Sequence, residues 1–147
     1  MREKVLFKRL DPRAVCPTYG SSSSAGADLY ALSDDDIIVK KGETALIHTG
    51  IAMQIPEGFV GLVFARSGLA TKRGLAPANK VGVIDSDYRG EIMVPIYNQS
   101  DKDAVIESGE RIAQIALIPY LTADFCETDT LDCTERGESG FGSTGRK

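Results

Sequence analysis

Residues 44–64 read Thr44-Ala45-Leu46-Ile47-His48-Thr49-Gly50-Ile51-Ala52-Met53-Gln54-Ile55-Pro56-Glu57-Gly58-Phe59-Val60-Gly61-Leu62-Val63-Phe64. Three apolar-rich runs, 44–47, 51–55 and 59–64, are parted by Thr49-Gly50 and Pro56-Glu57-Gly58. Each run is shorter than an ordinary helix, and each is bounded by residues that favour turns. That pattern predicts consecutive β-strands. It continues on both sides. Val5-Leu6-Phe7, 27–31 and 37–40 precede it, and 91–97 and 111–118 follow, with Gly, Pro, Asn or Asp in the gaps. Many short strands with regular turn signals predict an all-β fold: a jelly-roll or distorted β-barrel subunit.

Only Ser67-Gly68-Leu69-Ala70-Thr71-Lys72-Arg73-Gly74 reads as helical. Ser67 suits the N-cap, Lys72 and Arg73 the last turn, and Gly74 the C′ position. Pro119 closes the strand region. Residues 120–139 are acidic and weakly patterned, and the end of the chain is too rich in glycine to pack alone. The expected organisation is one β domain, residues 1–135, followed by a flexible C-terminal arm, 136–147.

The 147 residues are 42% hydrophobic and 26% charged, which suits one globular domain with a sizeable core. No apolar run is long enough to span a bilayer, so no membrane partner is expected. The first eight residues alternate charged and apolar side chains unlike a signal peptide, and a cytoplasmic setting is expected. The net charge of −4 argues against a protein that coats nucleic acid, but leaves room for a small anionic substrate. Cys16, Cys126 and Cys133 fit neither a disulfide framework nor a zinc site and read as free, partly buried thiols. The single His48 cannot build a two-histidine metal site. Acid–base chemistry must fall mainly on carboxylates.

Four segments carry chemistry. In Arg66-Ser67-Gly68, arginine offers a planar fork for phosphate oxygens, serine a hydroxyl, and glycine close backbone approach. By itself the triplet reads rather as an arginine at a strand end beside a capped helix. Gly82-Val83-Ile84-Asp85-Ser86-Asp87-Tyr88-Arg89-Gly90 places two carboxylates between an apolar run and a strand. Asp85 could align a water and Tyr88 offer an aromatic face, although spacing alone describes an acidic hairpin turn. Gly140-Phe141-Gly142-Ser143-Thr144-Gly145 could cradle phosphate with N–H groups and hydroxyls, with Phe141 stacking on a ring. It lacks the lysine and following helix of a Walker A loop, and in isolation it reads as a flexible tail. Gln114, in Gly109-Glu110-Arg111-Ile112-Ala113-Gln114, is either a polar handle on a ligand or the solvent face of an alternating strand.

Taken in order, with Ala25-Gly26-Ala27-Asp28-Leu29 before them and Arg136-Gly137-Glu138-Ser139 leading the last, these segments resemble the five motifs of the homotrimeric dUTPase family. One motif is weak; five in order from Ala25 to Gly145 are specific. The resemblance implies hydrolysis of dUTP to dUMP and pyrophosphate, which keeps uracil out of DNA and supplies dUMP for thymidylate synthesis. It implies a homotrimer with three shared active sites, and an arm from one chain closing over a neighbour's site. Asp85 aligns with the catalytic aspartate that activates water for attack on the α-phosphorus. Mg²⁺, mostly held by the phosphates, is the implied cofactor, with Asp28 supporting it through its water shell. Arg66, Ser67, Gly68 and Gln114 are expected to hold phosphates, and Arg136, Gly142, Ser143 and Thr144 to join them from the arm. Asn79, Gly82, Val83, Ile84 and Met93 are expected to read uracil, Tyr88 to underlie the deoxyribose, and Phe141 to stack on the base. His48, where the family usually has proline, and Lys80 depart from the pattern without touching a motif residue. A dCTP deaminase of the same fold, a non-catalytic dUTP-binding regulator and a structural β-domain are the competing readings. The intact Asp-Ser-Asp-Tyr-Arg-Gly segment and complete arm stand against them.

Overall fold

The structure, a computed structural model, describes residues 3–140. The expected site residues Phe141, Gly142, Ser143 and Thr144 lie outside the described residues. The elements in order are β1 (Leu6–Arg9), β2 (Thr18–Tyr19), β3 (Ala27–Tyr30), β4 (Ile37–Val39), β5 (Thr44–Ile47), β6 (Ile51–Gln54) and β7 (Phe59–Phe64). Helix α1 (Ser67–Arg73), β8 (Leu75–Pro77), β9 (Gly82–Ile84), β10 (Val94–Asn98), β11 (Ala104–Ile106) and β12 (Arg111–Pro119) complete them. Every strand pairing is antiparallel. A five-stranded sheet, β2-β3-β12-β7-β9, and a three-stranded sheet, β5-β10-β8, are joined by the pairs β1-β6 and β4-β11. This is the jelly roll that the punctuated strands predict. No helix among the described residues is long and apolar enough to cross a membrane.

The core is aliphatic. Leu29, Ile47, Ile51, Ile55, Leu75, Ile92, Ile96, Ile106 and Ile112 are fully buried and drawn from both main sheets, the two strand pairs and the connections between them. Their removal from water is the main force closing the roll. Asn98 is the one large polar side chain among them, and it is satisfied. Its Nδ2 donates to the carbonyls of Val39 (2.8 Å) and Lys102 (2.9 Å), and its Oδ1 accepts from the Ser100 N–H and hydroxyl. β2, β8 and β11 are two or three residues long, too short for alternation to reveal them.

Three local expectations change. The N-cap of α1 is Arg66, not Ser67. Arg66 is extended (φ −87°, ψ 128°) while its carbonyl accepts the first helical bond, from the Ala70 N–H, and no side chain caps the helix. Gly74 does end the helix in the left-handed region (φ 65°), with Lys72 and Arg73 in the last turn. Cys16 is half-buried as expected, but Cys126 and Cys133 are exposed, because they lie beyond the last strand. The acidic segment is not a hairpin. β9 pairs with β7, and β10 with β5 and β8, so 85–93 crosses from one sheet to the other. Within it the Tyr88 N–H donates to the Asp85 carbonyl, closing a turn.

A β-bulge decides the face of the other candidate strand. β12 pairs Arg111 with Tyr30 but Ala113 with Leu29, so the register shifts between them. Ile112 and Ala113 are both buried as a result. The shift sets Gln114 opposite Asp28 rather than turning it into the core.

Candidate active site

The first cluster forms where β3, β7 and β12 meet. The Asp28 carboxylate accepts from Arg66 Nε (2.8 Å) and Arg111 Nη1 (3.3 Å), one oxygen to each. Arg66 Nη1 also donates to the Arg111 carbonyl. Asp28 is largely buried while Arg111 is half-exposed, so a shielded carboxylate aims two partly exposed guanidinium groups. The trio carries a net positive charge, an arrangement suited to an anion. Gln114 Nε2 donates to the Ala65 carbonyl (2.9 Å), fixing the amide beside Arg66. Gly26 is required here, since a β-carbon would sit 2.6 Å from Gln114 Oε1. Ser67 and Gly68 are exposed at the start of α1. A β-carbon on Gly68 would meet nothing within 4 Å, so packing inside the chain does not require glycine there.

Arg111 joins this cluster although it is not among the residues expected to bind phosphate. Only the bulge between it and Ala113 makes it face Asp28. A further ion pair braces this end: Arg73 of α1 pairs with Glu110 and donates to the Val105 carbonyl.

The second cluster is a cavity of about 230 Å³ lined by Leu46, Val83, Ile84, Asp85, Tyr88, Glu91 and Met93. It gathers five of the expected residues from one segment of chain, plus Leu46 from β5 and Glu91. Asp85 is exposed at its rim. Gly82 is buried one strand-length away, and the exposed Asn79 sets its amide against it, 3.5 Å from where a β-carbon would stand. Lys80 holds a left-handed backbone (φ 66°), a strained conformation for a lysine, beside Asn79. A wider concavity, about 720 Å³ between α1 and residues 99–105, holds none of the expected ligand-contacting residues. That groove is lined by charged side chains of both signs, Lys72, Arg73, Lys102, Asp101 and Asp103, and has no aromatic ring, whereas the smaller cavity pairs a carboxylate with one.

The two clusters occupy opposite ends of β7. Gly61 pairs with Ile84, next to Asp85, whereas Phe64 pairs with Gln114, next to Arg66. From Gly61 to Arg66 the extended chain covers roughly 17 Å. One chain therefore does not bring Asp85 to Arg66. Nor does it bring Arg136 to either cluster: Arg136 Nε donates to the Ser139 carbonyl in an exposed local turn.

The family model described as dUTPase matches residues 13–145. A deoxyuridine 5'-triphosphate nucleotidohydrolase of Hydrogenobaculum sp. is 45% identical over 144 residues, covering 98% of this chain and 99% of its own length. One from Desulfitobacterium hafniense is 47% identical over 146 residues, covering 99% and 97%. Among solved structures, a dUTPase mutant of Staphylococcus bacteriophage 80alpha with dUpNHpp superimposes with a TM-score of 0.85 at 28% identity, over 98% of this chain and 99% of that one. A jelly roll with an arginine–carboxylate cluster and an aspartate-rimmed cavity is thus matched along its length by nucleotide hydrolases. The chain belongs to the dUTPase family.

Proposed function

We propose that this enzyme hydrolyses dUTP to dUMP and pyrophosphate, with Asp85 as the base that orients and deprotonates the attacking water. The reaction follows from family membership; the residue roles are inferred from placement. The observation that carries them is Asp85 at the rim of a cavity whose wall holds Val83, Ile84, Tyr88 and Met93. A carboxylate open to water can orient that water and take its proton. Its neighbours are shaped for a nucleoside: extended backbone at 82–84 for the edge of uracil, and the ring of Tyr88 for the deoxyribose. Asn79, beside Gly82, would complete the base-reading edge. A donor–acceptor mismatch there rejects cytosine, because unpaired buried polar groups are costly.

The phosphates belong at the other cluster. Arg66, steadied by Asp28, presents its remaining N–H groups, with Arg111, Ser67 and Gln114 alongside. The open front of Gly68 admits a ligand oxygen close to the backbone. Mg²⁺ is read as part of the substrate. Among the described residues no group of three or more His, Cys, Asp or Glu could hold an ion, and both Asp28 oxygens already face guanidinium groups. This donor set fits a metal carried by the triphosphate, with Asp28 using spare lone pairs on its hydration water. So carried, Mg²⁺ would neutralise charge on the leaving pyrophosphate.

Asp85 and Arg66 must address the same triphosphate yet sit roughly 17 Å apart along β7. This separation supports a homotrimer whose sites combine the nucleoside half of one chain with the phosphate half of another. The segment after β12 supports the same reading. Leu121, Phe125 and Leu131 are 98%, 94% and 88% exposed, which is costly unless another copy covers them. The arm that follows would bring Arg136, Phe141, Gly142, Ser143 and Thr144 to a neighbour's site. Free thiols fit a cytoplasmic, reducing setting.

The test is pyrophosphate release from dUTP, dCTP, dTTP and UTP, each with Mg²⁺. Release from dUTP alone is expected. Ammonia from dCTP would move the reading to a deaminase, and dUTP binding without turnover would move it to a regulator.

A further inference from the structure

Glu91 lines the cavity beside Asp85 and Tyr88, yet its carboxylate is committed to a loop 41–43 residues away. One oxygen pairs with His48 Nδ1 (2.8 Å); the other accepts from the N–H groups of Thr49 (3.1 Å) and Gly50 (2.7 Å). The loop is itself rigid. The buried Thr49 hydroxyl donates to the Ile92 carbonyl (2.6 Å), and Gly50 is left-handed (φ 67°), with Leu32 Cδ2 2.6 Å from where a β-carbon would stand. The Ile92 N–H donates to the Ile51 carbonyl (2.8 Å), a second tie to the same loop. On its other side, the backbone carbonyl of Glu91 accepts from the Tyr88 hydroxyl (2.9 Å). The ring of Tyr88 folds over Gly90, where any β-carbon would collide with it. Tyr88 is therefore positioned by the backbone of residue 91, and residue 91 by the 48–50 loop.

We propose that Glu91, clasped by His48 and the 49–50 backbone, is a positioning residue that sets Tyr88 at the height that excludes a ribose 2′-hydroxyl, and so governs sugar selectivity. This deepens the proposed function and rests on its placement of the deoxyribose over Tyr88. The clasp acts on one wall only. Gly82 stands on the edge strand β9, paired to β7, and Asn79 in the turn before it; neither is hydrogen-bonded to residues 48–50. Base selectivity read by Asn79 and Gly82 is thus independent of it. His48, a departure from the family pattern, gains a role as the outer half of the clasp.

The experiment compares kcat/KM for dUTP, UTP and dCTP in the full-length enzyme and its Glu91→Ala, Glu91→Gln, His48→Ala and Tyr88→Phe variants. Glu91→Ala should reduce the dUTP-to-UTP preference about tenfold, the scale of losing oriented hydrogen bonds, with the dUTP-to-dCTP preference unchanged. Glu91→Gln keeps an acceptor for the Gly50 N–H and should restore most of the preference. His48→Ala should give about a threefold loss in the same direction. Tyr88→Phe should match Glu91→Ala, and the double variant should lose no more than either alone. If Glu91→Ala does not fold, His48→Ala and Tyr88→Phe carry the test. Folded variants with an unchanged dUTP-to-UTP preference, or equal losses of both preferences, overturn the inference. A wild-type enzyme that does not prefer dUTP to UTP overturns instead the placement of the sugar on which it rests.

Discussion

The two ends of β7 are built on different principles. At the Arg66 end, a shielded carboxylate and a fixed amide aim charged donors, and the geometry is held by side chains from three strands. At the Asp85 end, a turn and a crossing segment shape a small cavity, and the proposed base stands exposed with little bracing of its own. The first end is preorganised for charge that does not move. The second leaves its carboxylate free to meet water. On the proposed reading each half serves its share of the reaction, and the roughly 17 Å of strand between them is the reason to join Asp85 of one copy to Arg66 of another.

The comparison can be broken at either end. Asp85→Asn should reduce kcat on the order of a thousandfold, the scale of a lost general base, while dUTP binding measured by calorimetry stays near wild type. Deleting residues 137–147 should cost about a hundredfold in kcat/KM, the scale of losing transition-state donors, with thermal unfolding of the β body unchanged. Asp28→Asn should cost about tenfold, chiefly in KM, because Arg66 and Arg111 lose the anion that aims them. A fall in kcat alone would mean that Asp28 serves the chemical step rather than the grip.

The smallest expected effect concerns the wall of the Asp85 cavity. Burial pushes the Glu91 carboxyl up, but the His48 hydrogen bond, the Gly50 and Thr49 N–H groups and the charge of His48 outweigh it, and the group lies below the ordinary glutamate value of 4.5. A carboxyl lowered on folding stabilises the protein above its unfolded value, and that contribution is lost as pH falls through the lowered one. Melting temperature should therefore drop more steeply in wild type than in Glu91→Gln as pH falls below 4.5. Parallel curves would show that the clasp gains nothing from ionisation.

What was legible in the sequence followed from local chemistry. The strands at 44–64 announced themselves because Gly50, Pro56 and Gly58 punctuate them, and the cavity wall was legible through resemblance because Val83 to Met93 are contiguous in the chain. What was not legible depended on register and distance. The direction of Gln114 and the role of Arg111 hang on one extra residue between Arg111 and Ala113, which shifts the pairing without altering the apolar pattern. The His48–Glu91 pair spans 43 residues, and no spacing rule connects them. Leu46 reaches the cavity only because β5 pairs with β10 in the second sheet. Ser67 looked like a cap by composition, yet the chain turns one residue earlier, at Arg66.

The central claim, that a working site joins Asp85 of one copy to Arg66 of another, is tested most directly by complementation. Asp85→Asn and Arg66→Ala enzymes, each nearly inactive, are unfolded, mixed in equal amounts and refolded together. If subunits assort at random in a closed trimer, about a quarter of the sites receive both wild-type halves, and dUTP turnover should return to about a quarter of the wild-type value. Mixed trimers that form but stay as inactive as their parents would contradict the account, because they would place Asp85 and Arg66 in the same chain's site.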